Sequence, residues 1–418
     1  MQSKIDMNYK IFIKAIVTLF LLSVFSYVFY FSLTNIINYW TFSEIHINYS
    51  LGFSKRGFLG SLMLYLESMG VPKNIFFSII FYLITLCNIF LFLNLLNRFI
   101  KNHIFFYIFF ALNPALILFS FYDLGGYARS ESFGIFACLL HALFAQKFYS
   151  QKINYDKYLK LFLILVFPLS LITILIHELN ILFFSFHFFT ALLIVYKSHF
   201  KNIKEFQYLI ILNSLLTIFI IYLLVSHPFT KEFAQKLYSA LPEKNGTSFW
   251  IWDAISNSFS SRIDVELKRM QNPKGAITLY FSIFLFYFFP IYFLLKKTTE
   301  QSKFQLVLVS LSIMPFLMLF FTGQDWGRWF HIILIVLFAC FMQFKEKKLI
   351  LPKNYTYKIL TYVFIVFFIL QFSFTRIPHC CNLVRLNLNI FGGIVPKIKV
   401  FSKILNNKII IKERFQVY

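Results

Sequence analysis

The 418-residue chain is too apolar for a soluble domain, in which about half of the residues are apolar. Here 59% are hydrophobic and 21% aromatic, and the mean hydropathy is +0.70. The 40 Lys and Arg against 17 Asp and Glu give a net charge of +23, but the lysines lie mostly in short segments between apolar runs. There they indicate membrane topology and contact with anionic headgroups, so we expect no nucleic-acid partner.

Eleven apolar runs are long enough, or nearly so, to cross a bilayer, which takes roughly 20 residues in a helix. The first is longer than a signal-peptide core and lacks a small-residue cleavage motif, so we interpret it as a retained helix. Residues 58–70 end at a Gly-Val-Pro break, which predicts a short interfacial helix before the second span. The predicted spans are 16–37, 74–97, 104–121, 132–146, 159–176, 179–196, 206–226, 276–295, 304–321, 329–344 and 358–375.

The lysines orient these spans, because cytoplasmic loops carry an excess of Lys and Arg. With the N-terminus in the cytoplasm, the inside segments are all short and hold half of the 40 basic residues. The outside then receives one long hydrophilic loop, 227–275, whose charges we interpret as mostly a solvated surface. Eleven spans also leave the basic tail 376–418 outside, against the usual bias, so either the tail lies on a membrane surface or the number of spans differs by one. No fixed-period repeat is visible, so we predict an all-α polytopic integral membrane protein with one domain, 1–418.

The five cysteines predict neither a disulfide framework nor a zinc site. Cys87, Cys138 and Cys340 lie within apolar runs, and Cys380 and Cys381 are adjacent, a spacing that would strain a bond between them. We therefore expect no resident cofactor, and no ligand motif supports a divalent cation.

The charged clusters outside the lysine-rich segments all fall on the predicted outer side. Ionisable groups near hydrocarbon cost several kcal/mol unless they are paired or functional, so a common rim predicts a shared pocket. The candidate residues are Glu44, Lys55 and Arg56 in the first outer segment, Asp123, Arg129 and Glu131 in the second, His177 and Glu178 in the third, and Asp325 and Arg328 in a later one.

Each cluster also has a purely structural interpretation. Asp325 and Arg328 are three residues apart, which places them on one helical face. The tryptophans at 326 and 329 would equally suit an aromatic belt with a snorkelling arginine. Glu44 would serve as a solvated loop acid, and 123–131 as a self-contained salt-bridged turn with Gly125-Gly126 at the bend.

Several arginines and carboxylates at an outer membrane surface suit a lipid diphosphate, because guanidinium groups bind phosphate in bidentate fashion. A nearby carboxylate would deprotonate an acceptor hydroxyl or hold a divalent cation. No soluble stretch is large enough for a nucleotide-sugar domain, and no glycine-rich phosphate loop of the Walker or dinucleotide kind occurs. We therefore expect a lipid-linked sugar donor.

The chain resembles the multispanning glycosyltransferases of the GT-C superfamily in the positions of Glu44 and of 123–131, and in the sequence Leu-Asn-Pro-Ala-Leu-Ile before the latter. In that superfamily an acid in the first outer loop serves as base or metal ligand, and a second acidic loop follows two spans later. Size, span number, Phe/Ile/Lys-rich composition and one enlarged outer loop are also similar to bacterial O-antigen and capsule repeat-unit polymerases. The resemblance implies an inner-membrane enzyme that acts on undecaprenyl-diphosphate-linked glycans, in contact with membrane lipids and with polysaccharide-assembly proteins.

In this hypothesis Glu44 or Asp123 acts as the base, and His177 and Glu178 orient the acceptor. The substrate is bound by Lys55, Arg56, Arg129, Glu131, Asp325 and Arg328, with the three arginines holding the diphosphate. The alternative is a lipid-linked oligosaccharide flippase or another multispanning transporter, although such proteins often show inverted repeats, which are absent from this sequence. An assembly scaffold without activity is a third interpretation.

Overall fold

The computed structural model describes residues 2–34, 39–97, 104–119, 128–198, 203–241, 247–257, 276–321, 325–344 and 366. Within these ranges every regular element is a helix. Asp123, the tail 376–418, residues 258–275 of the long outer loop and nearly all of the predicted span 358–375 lie outside the described residues.

The helices are numbered here in chain order. They are α1 (Gln2–Thr34), α2 (Tyr39–Glu44), α3 (Gly57–Ser68), α4 (Lys73–Leu96), α5 (Ile104–Ala111), α6 (Glu131–Tyr149), α7 (Tyr155–Ile176), α8 (Phe183–Lys197), α9 (Ile203–Ser226), α10 (Lys231–Ser239), α11 (Phe249–Ser256), α12 (Ala276–Thr298), α13 (Lys303–Ile313) and α14 (Trp326–Met342). Two 3-10 turns, Glu178–Leu182 and Met314–Phe321, precede α8 and follow α13.

The long apolar helices make this an all-helical protein with the character of a membrane protein. Among the described residues, six helices are long and apolar enough to cross a bilayer, and two shorter apolar helices, Phe284–Lys296 and Trp326–Met342, accompany them. The predicted number of eleven spans is not confirmed. The six are Asn8–Tyr30, Lys73–Leu96, Glu131–Tyr149, Tyr155–Ile176, Glu178–Lys197 and Lys303–Phe320.

Helices α6 and α14 form the centre of the bundle. Every residue of α14 from Gly327 to Met342 is buried, as expected for a helix that is apolar on all sides and surrounded by protein. Helix α6 packs against α4, α7, α8 and α14, while α1 packs on α4 and α12 packs on α14. The largest apolar cluster of the protein lies between these helices.

The predicted span 104–121 is wrong in its second half, because α5 ends at Ala111 and residues 112–118 form turns. The side chain of Asn113 accepts a hydrogen bond from the Ala115 amide at 3.0 Å, and Pro114 lacks an amide proton, so both residues stop the helix. Irregular backbone at membrane depth is tolerated when protein buries it. Leu116 is fully buried, and His331 Nδ1 donates to the Ala115 carbonyl at 3.0 Å.

Helices α7 and α8 form the predicted hairpin, with His177 and Glu178 at its tip. Helix α7 contains a π-helical turn, Phe162–Val166, which ends two residues before Pro168. Because proline cannot donate a backbone hydrogen bond, a local widening of the helix there keeps the neighbouring carbonyls paired. The helix therefore continues to Ile176, and His177 lies at the end of the bundle.

The first half of the long outer loop has an apolar core of its own, while its charged residues Lys231, Glu232 and Lys236 are exposed, as predicted. Helices α10 and α11 pack on each other around Phe229, Leu237 and Trp252, and they cover Ile47 of the first outer segment. Trp252 Nε1 donates to the Ser43 carbonyl at 2.7 Å. We call this unit, residues 227–241 and 247–257, the cap.

Candidate functional site

Ionisable side chains from distant parts of the chain meet at one end of the bundle. Glu44 ends α2, Arg56 precedes α3, Glu131 begins α6, His177 follows α7, and Arg328 lies in the first turn of α14. These positions are the helix ends predicted to face outward, and all five side chains are buried. The described lysines at 147, 197, 296 and 303 lie at the opposite ends of their helices, and Lys152 follows the end of α6.

Arg56 joins two of the predicted carboxylates. Its Nη1 lies 2.6 Å from Glu44 Oε1, and its Nε and Nη2 lie 2.7 and 2.5 Å from the two oxygens of Glu178. Burial opposes the charge of Arg56, but Glu178 and Glu44 outweigh that cost and raise its pKa. All three guanidinium nitrogens already face carboxylates, so the geometry favours Arg56 as a group that positions Glu44 and Glu178 over its predicted role of holding phosphate.

The backbone at this end of the bundle is strained. Arg56 has φ 66° and Ala128, next to Arg129, has φ 57°, a left-handed conformation that costs a residue with a Cβ about 1–2 kcal/mol. Such strain persists only where the surrounding structure enforces it, and it clusters at functional sites. The residue after Arg56 must be small, because a Cβ on Gly57 would lie 2.1 Å from the Tyr49 ring.

Glu131 is the least satisfied buried carboxylate of the cluster. It is 3% exposed, and neither of its oxygens has a hydrogen-bond partner among the described residues. Its Oε1 lies 3.5 Å from Arg328 Nη2 and 3.9 Å from His177 Nε2, both beyond ordinary hydrogen-bond length. The positive end of the α6 dipole favours the ionised form. The ionised carboxylate of Glu131 can therefore accept further hydrogen bonds or a proton.

His177 presents a proton toward Glu131. Its Nδ1 accepts a hydrogen bond from the Leu179 amide at 3.2 Å, which assigns the proton of the neutral ring to Nε2, the atom that faces Glu131. Burial and then the charge of Arg56 lower the pKa of His177, against the carboxylates of Glu178 and Glu131. The imidazole is thus neutral at physiological pH, and it is a donor to Glu131 once the two groups approach.

Arg328 and Arg129 place two cations beside two helix N-termini. Arg328 Nη2 pairs with Asp325 Oδ2 at 2.8 Å, and the guanidinium carbon of Arg328 lies 4.3 Å from the centre of the Trp329 ring. The Nε of Arg328 is buried and has no hydrogen-bond partner in the described part of the chain. Burial and then repulsion by Arg328 lower the pKa of Arg129. The α14 dipole also disfavours a cation in its first turn. An anion bound beside the two arginines would give Arg328 Nε a partner, and it would offset both the repulsion between the arginines and the unfavourable α14 dipole.

The remaining predicted residues have distinct placements. Lys55 Nζ donates to the Ile255 carbonyl at 3.1 Å, which ties the first outer segment to the end of α11 and makes Lys55 part of the cap attachment. Asp325 and Arg328 form the predicted pair with three-residue spacing. Sequence reasoning missed Trp40, whose Nε1 donates to Glu44 Oε1. The spacing of four residues within a short helix was the available signal.

No group of three or more His, Cys, Asp or Glu side chains within the described ranges is arranged to hold a metal ion. The expected lack of a resident cofactor stays a prediction.

No protein-family model matches this chain, and neither a curated protein nor a solved structure is significantly similar to it.

Proposed function

We propose that this chain is a bacterial inner-membrane glycosyltransferase that uses a polyprenyl-diphosphate-linked sugar or oligosaccharide at the extracytoplasmic face. The specific form of the proposal is an O-antigen or capsular repeat-unit polymerase with about eleven spans and a cytoplasmic N-terminus. The observation that carries it is the buried carboxylate of Glu131, which has no hydrogen-bond partner in the described structure and lies between Arg328 and His177.

The arginines supply what the leaving group needs. In transfer from a polyprenyl diphosphate, the bond between the anomeric carbon and the phosphate oxygen breaks, and negative charge develops on the diphosphate. Arg328, whose Nε is unpartnered, and the neighbouring Arg129 would stabilise that charge in a buried site, where hydrogen-bond donors act most strongly. The N-termini of α6 and α14 add partial positive charge.

Glu131 supplies the base. As the acceptor hydroxyl attacks the anomeric carbon, its proton passes to the Glu131 carboxylate, which has the unused capacity to receive it. The Nε2–H of His177 orients that carboxylate. Glu44 and Glu178 act through Arg56, which holds the tip of the α7–α8 hairpin against the first outer segment. This geometry favours Glu131 over the predicted base Glu44, because Glu44 already binds Arg56 and Trp40.

The test is complementation in the native host lacking its chromosomal copy. Glu131→Gln and Arg328→Ala are each expected to abolish long glycan chains at normal membrane levels of the protein. The control Asp253→Asn changes a carboxylate that pairs with Lys231 on the exposed surface of the cap and is expected to leave chain length unchanged. Normal chain length in both site variants would end the proposal.

A transporter is the second candidate, and a buried cluster within the bundle favours it. His141 Nδ1 lies 3.0 Å from His187 Nδ1, and His141 Nε2 lies 2.6 Å from the Tyr158 hydroxyl. Ionisable groups inside a membrane bundle often mark ion pathways. Proteoliposomes distinguish the two functions. Movement of a lipid-linked glycan that depends on a pH gradient, is lost in His141→Gln and leaves every glycosidic linkage unchanged would favour the transporter.

A further inference from the structure

An open cavity of about 370 Å³ lies at the end of the bundle opposite the charged cluster. It is formed where α6, α8 and α14 end and α13 begins, and its lining includes Tyr149, Lys197, Glu300 and Phe344. This is the lysine-rich end of the helices, which the sequence places at the cytoplasmic surface. In that orientation the cavity is at the height of lipid headgroups in the inner leaflet.

The cavity carries one positive and one negative side chain that do not pair. Lys197 and Glu300 are both exposed and line the same space, and neither forms an ion pair with any residue that the structure describes. The Lys197 ammonium lies 4.7 Å from the centre of the Tyr149 ring. Opposite charges held in one pocket without mutual contact suit a ligand that itself carries both charges.

Two further features provide polar groups for such a ligand. Tyr149 is 5% exposed, and its hydroxyl lies beside the Gln305 side chain, which also lines the cavity. Helix α13 begins directly at the cavity, with a capping box between Ser302 and Gln305 that fixes its first turn. The positive end of this helix favours a phosphate.

An apolar surface leads away from the cavity. Phe304, Val307 and Leu311 are exposed at spacings of three and four residues on α13, so they share one helical face. The exposed Tyr196 packs on Phe304, with ring centres 4.8 Å apart. Such a strip beside a polar pocket has the form required by a phospholipid, with its headgroup in the pocket and its acyl chains along the helix.

We propose that this cavity binds the headgroup of a phospholipid that carries a phosphate and a primary ammonium, the phosphoethanolamine class. Lys197 and the N-terminus of α13 bind the phosphate. Glu300 binds the ammonium. An anionic lipid without an ammonium would leave Glu300 unpaired. This assignment is independent of the proposed glycosyltransferase activity.

The test is native mass spectrometry of the full-length protein, delipidated in detergent and titrated with dioctanoyl lipids. We expect phosphatidylethanolamine to bind about five- to tenfold more tightly than phosphatidylglycerol. Glu300→Gln should abolish this preference, and Lys197→Gln should weaken binding of both lipids. The matched control is Lys152→Gln, which changes an exposed lysine at the same end of the bundle but outside the cavity.

Equal affinity for the two lipids, or an unchanged preference in Glu300→Gln, would overturn the proposal. Competition by free phosphoethanolamine shows whether the cavity binds this group in a membrane lipid or in a soluble compound. Failure of the free compound to compete at millimolar concentration assigns the cavity to a membrane lipid. Binding of the free compound as tightly as the lipid would assign the cavity to a soluble ligand and overturn the lipid assignment.

Discussion

The Oε1 atom of Glu131 lies 3.5 Å from Nη2 of Arg328, yet neither oxygen of this buried carboxylate receives a hydrogen bond from any described residue. A buried charge with unmade hydrogen bonds is destabilising, because it lost its water without full replacement. The N-termini of α6 and α14 and the neutral His177 surround the carboxylate and favour its ionised form. We interpret this arrangement as a site prepared to receive a proton on Glu131 and an anion beside Arg328.

Replacing Glu131 with Gln is expected to separate activity from stability. Loss of a general base lowers the rate by about 10²–10⁴-fold, so kcat for glycosyl transfer should fall by that range. Stability should fall only moderately, because Gln keeps the shape of the side chain while Arg328 and His177 lose a nearby carboxylate that they contact only at 3.5 and 3.9 Å. The measurements are turnover of a lipid-linked donor and the Tm of the purified protein. A loss of Tm as large as that of Arg56→Ala would indicate a structural role instead.

Removing the guanidinium of Arg56 should destabilise the protein strongly. Arg56→Ala leaves Glu44 and Glu178 buried without their cation, and breaking a buried ion pair costs about 3–5 kcal/mol. The double variant Arg56→Ala/Glu178→Gln should recover part of this loss, because one of the two stranded charges is gone. Chemical unfolding in detergent measures all three proteins. A double variant no more stable than Arg56→Ala would contradict the pairing.

His46 should make stability dependent on pH. Burial lowers the pKa of His46 from 6.5 to about 4, against the raising effect of its hydrogen bond to the Phe42 carbonyl. Because the folded pKa is depressed, the unfolded chain binds the extra proton. The contribution of His46 is then fully present above pH 6.5 and is lost as pH falls toward about 4, by up to about 1.4 kcal/mol per pH unit.

The variant His46→Gln isolates this effect from the other buried histidines, which remain in both proteins. Unfolding free energies of the wild type and the variant should converge as pH is lowered from 7 to 4. Parallel pH profiles would show that His46 does not titrate in this way.

Close packing of α3 on the first outer segment should depend on Gly60. A Cβ at this position would lie 1.9 Å from the Ile47 carbonyl oxygen, an atom of the backbone. Gly60→Ala is expected to cost more than about 2 kcal/mol, because α3 must move away from residues 45–47. Leu62→Ala is the control, because Leu62 is an exposed residue of the same helix and its truncation should cost about 0.5 kcal/mol. Equal losses of Tm would contradict the close approach.

The sequence predicted helices well where long apolar runs end at lysines. The hairpin that presents His177 and Glu178 at its tip, and the short helix α3 before α4, match the predictions closely. The prediction of one continuous span over 104–121 was wrong in its second half, because the run is uniformly apolar. In the sequence, Asn113-Pro114 looks like any other local turn signal. Helix α5 ends before it, and the chain enters the core without helical structure.

The partners of the site residues followed less directly from the sequence. Asp325 and Arg328 were predictable as a pair, because a helical turn joins them. The contacts of Arg56 with Glu178, or of Glu131 with His177, join residues with no local relationship. Individual roles also changed: Arg56 is occupied by carboxylates, Lys55 attaches the cap, and Trp40 enters the site through Glu44.

The sequence by itself determined the membrane character, the helical class and the helix ends at which charges gather. These depend on hydrophobic run length and lysine position, both of which are local properties of the chain. Only the tertiary structure decided which of those charges neutralise one another and which remain unsatisfied. That outcome depends on distances of a few ångströms between helices far apart in the chain, and so Arg56 is fully engaged while Glu131 keeps unused capacity beside Arg328.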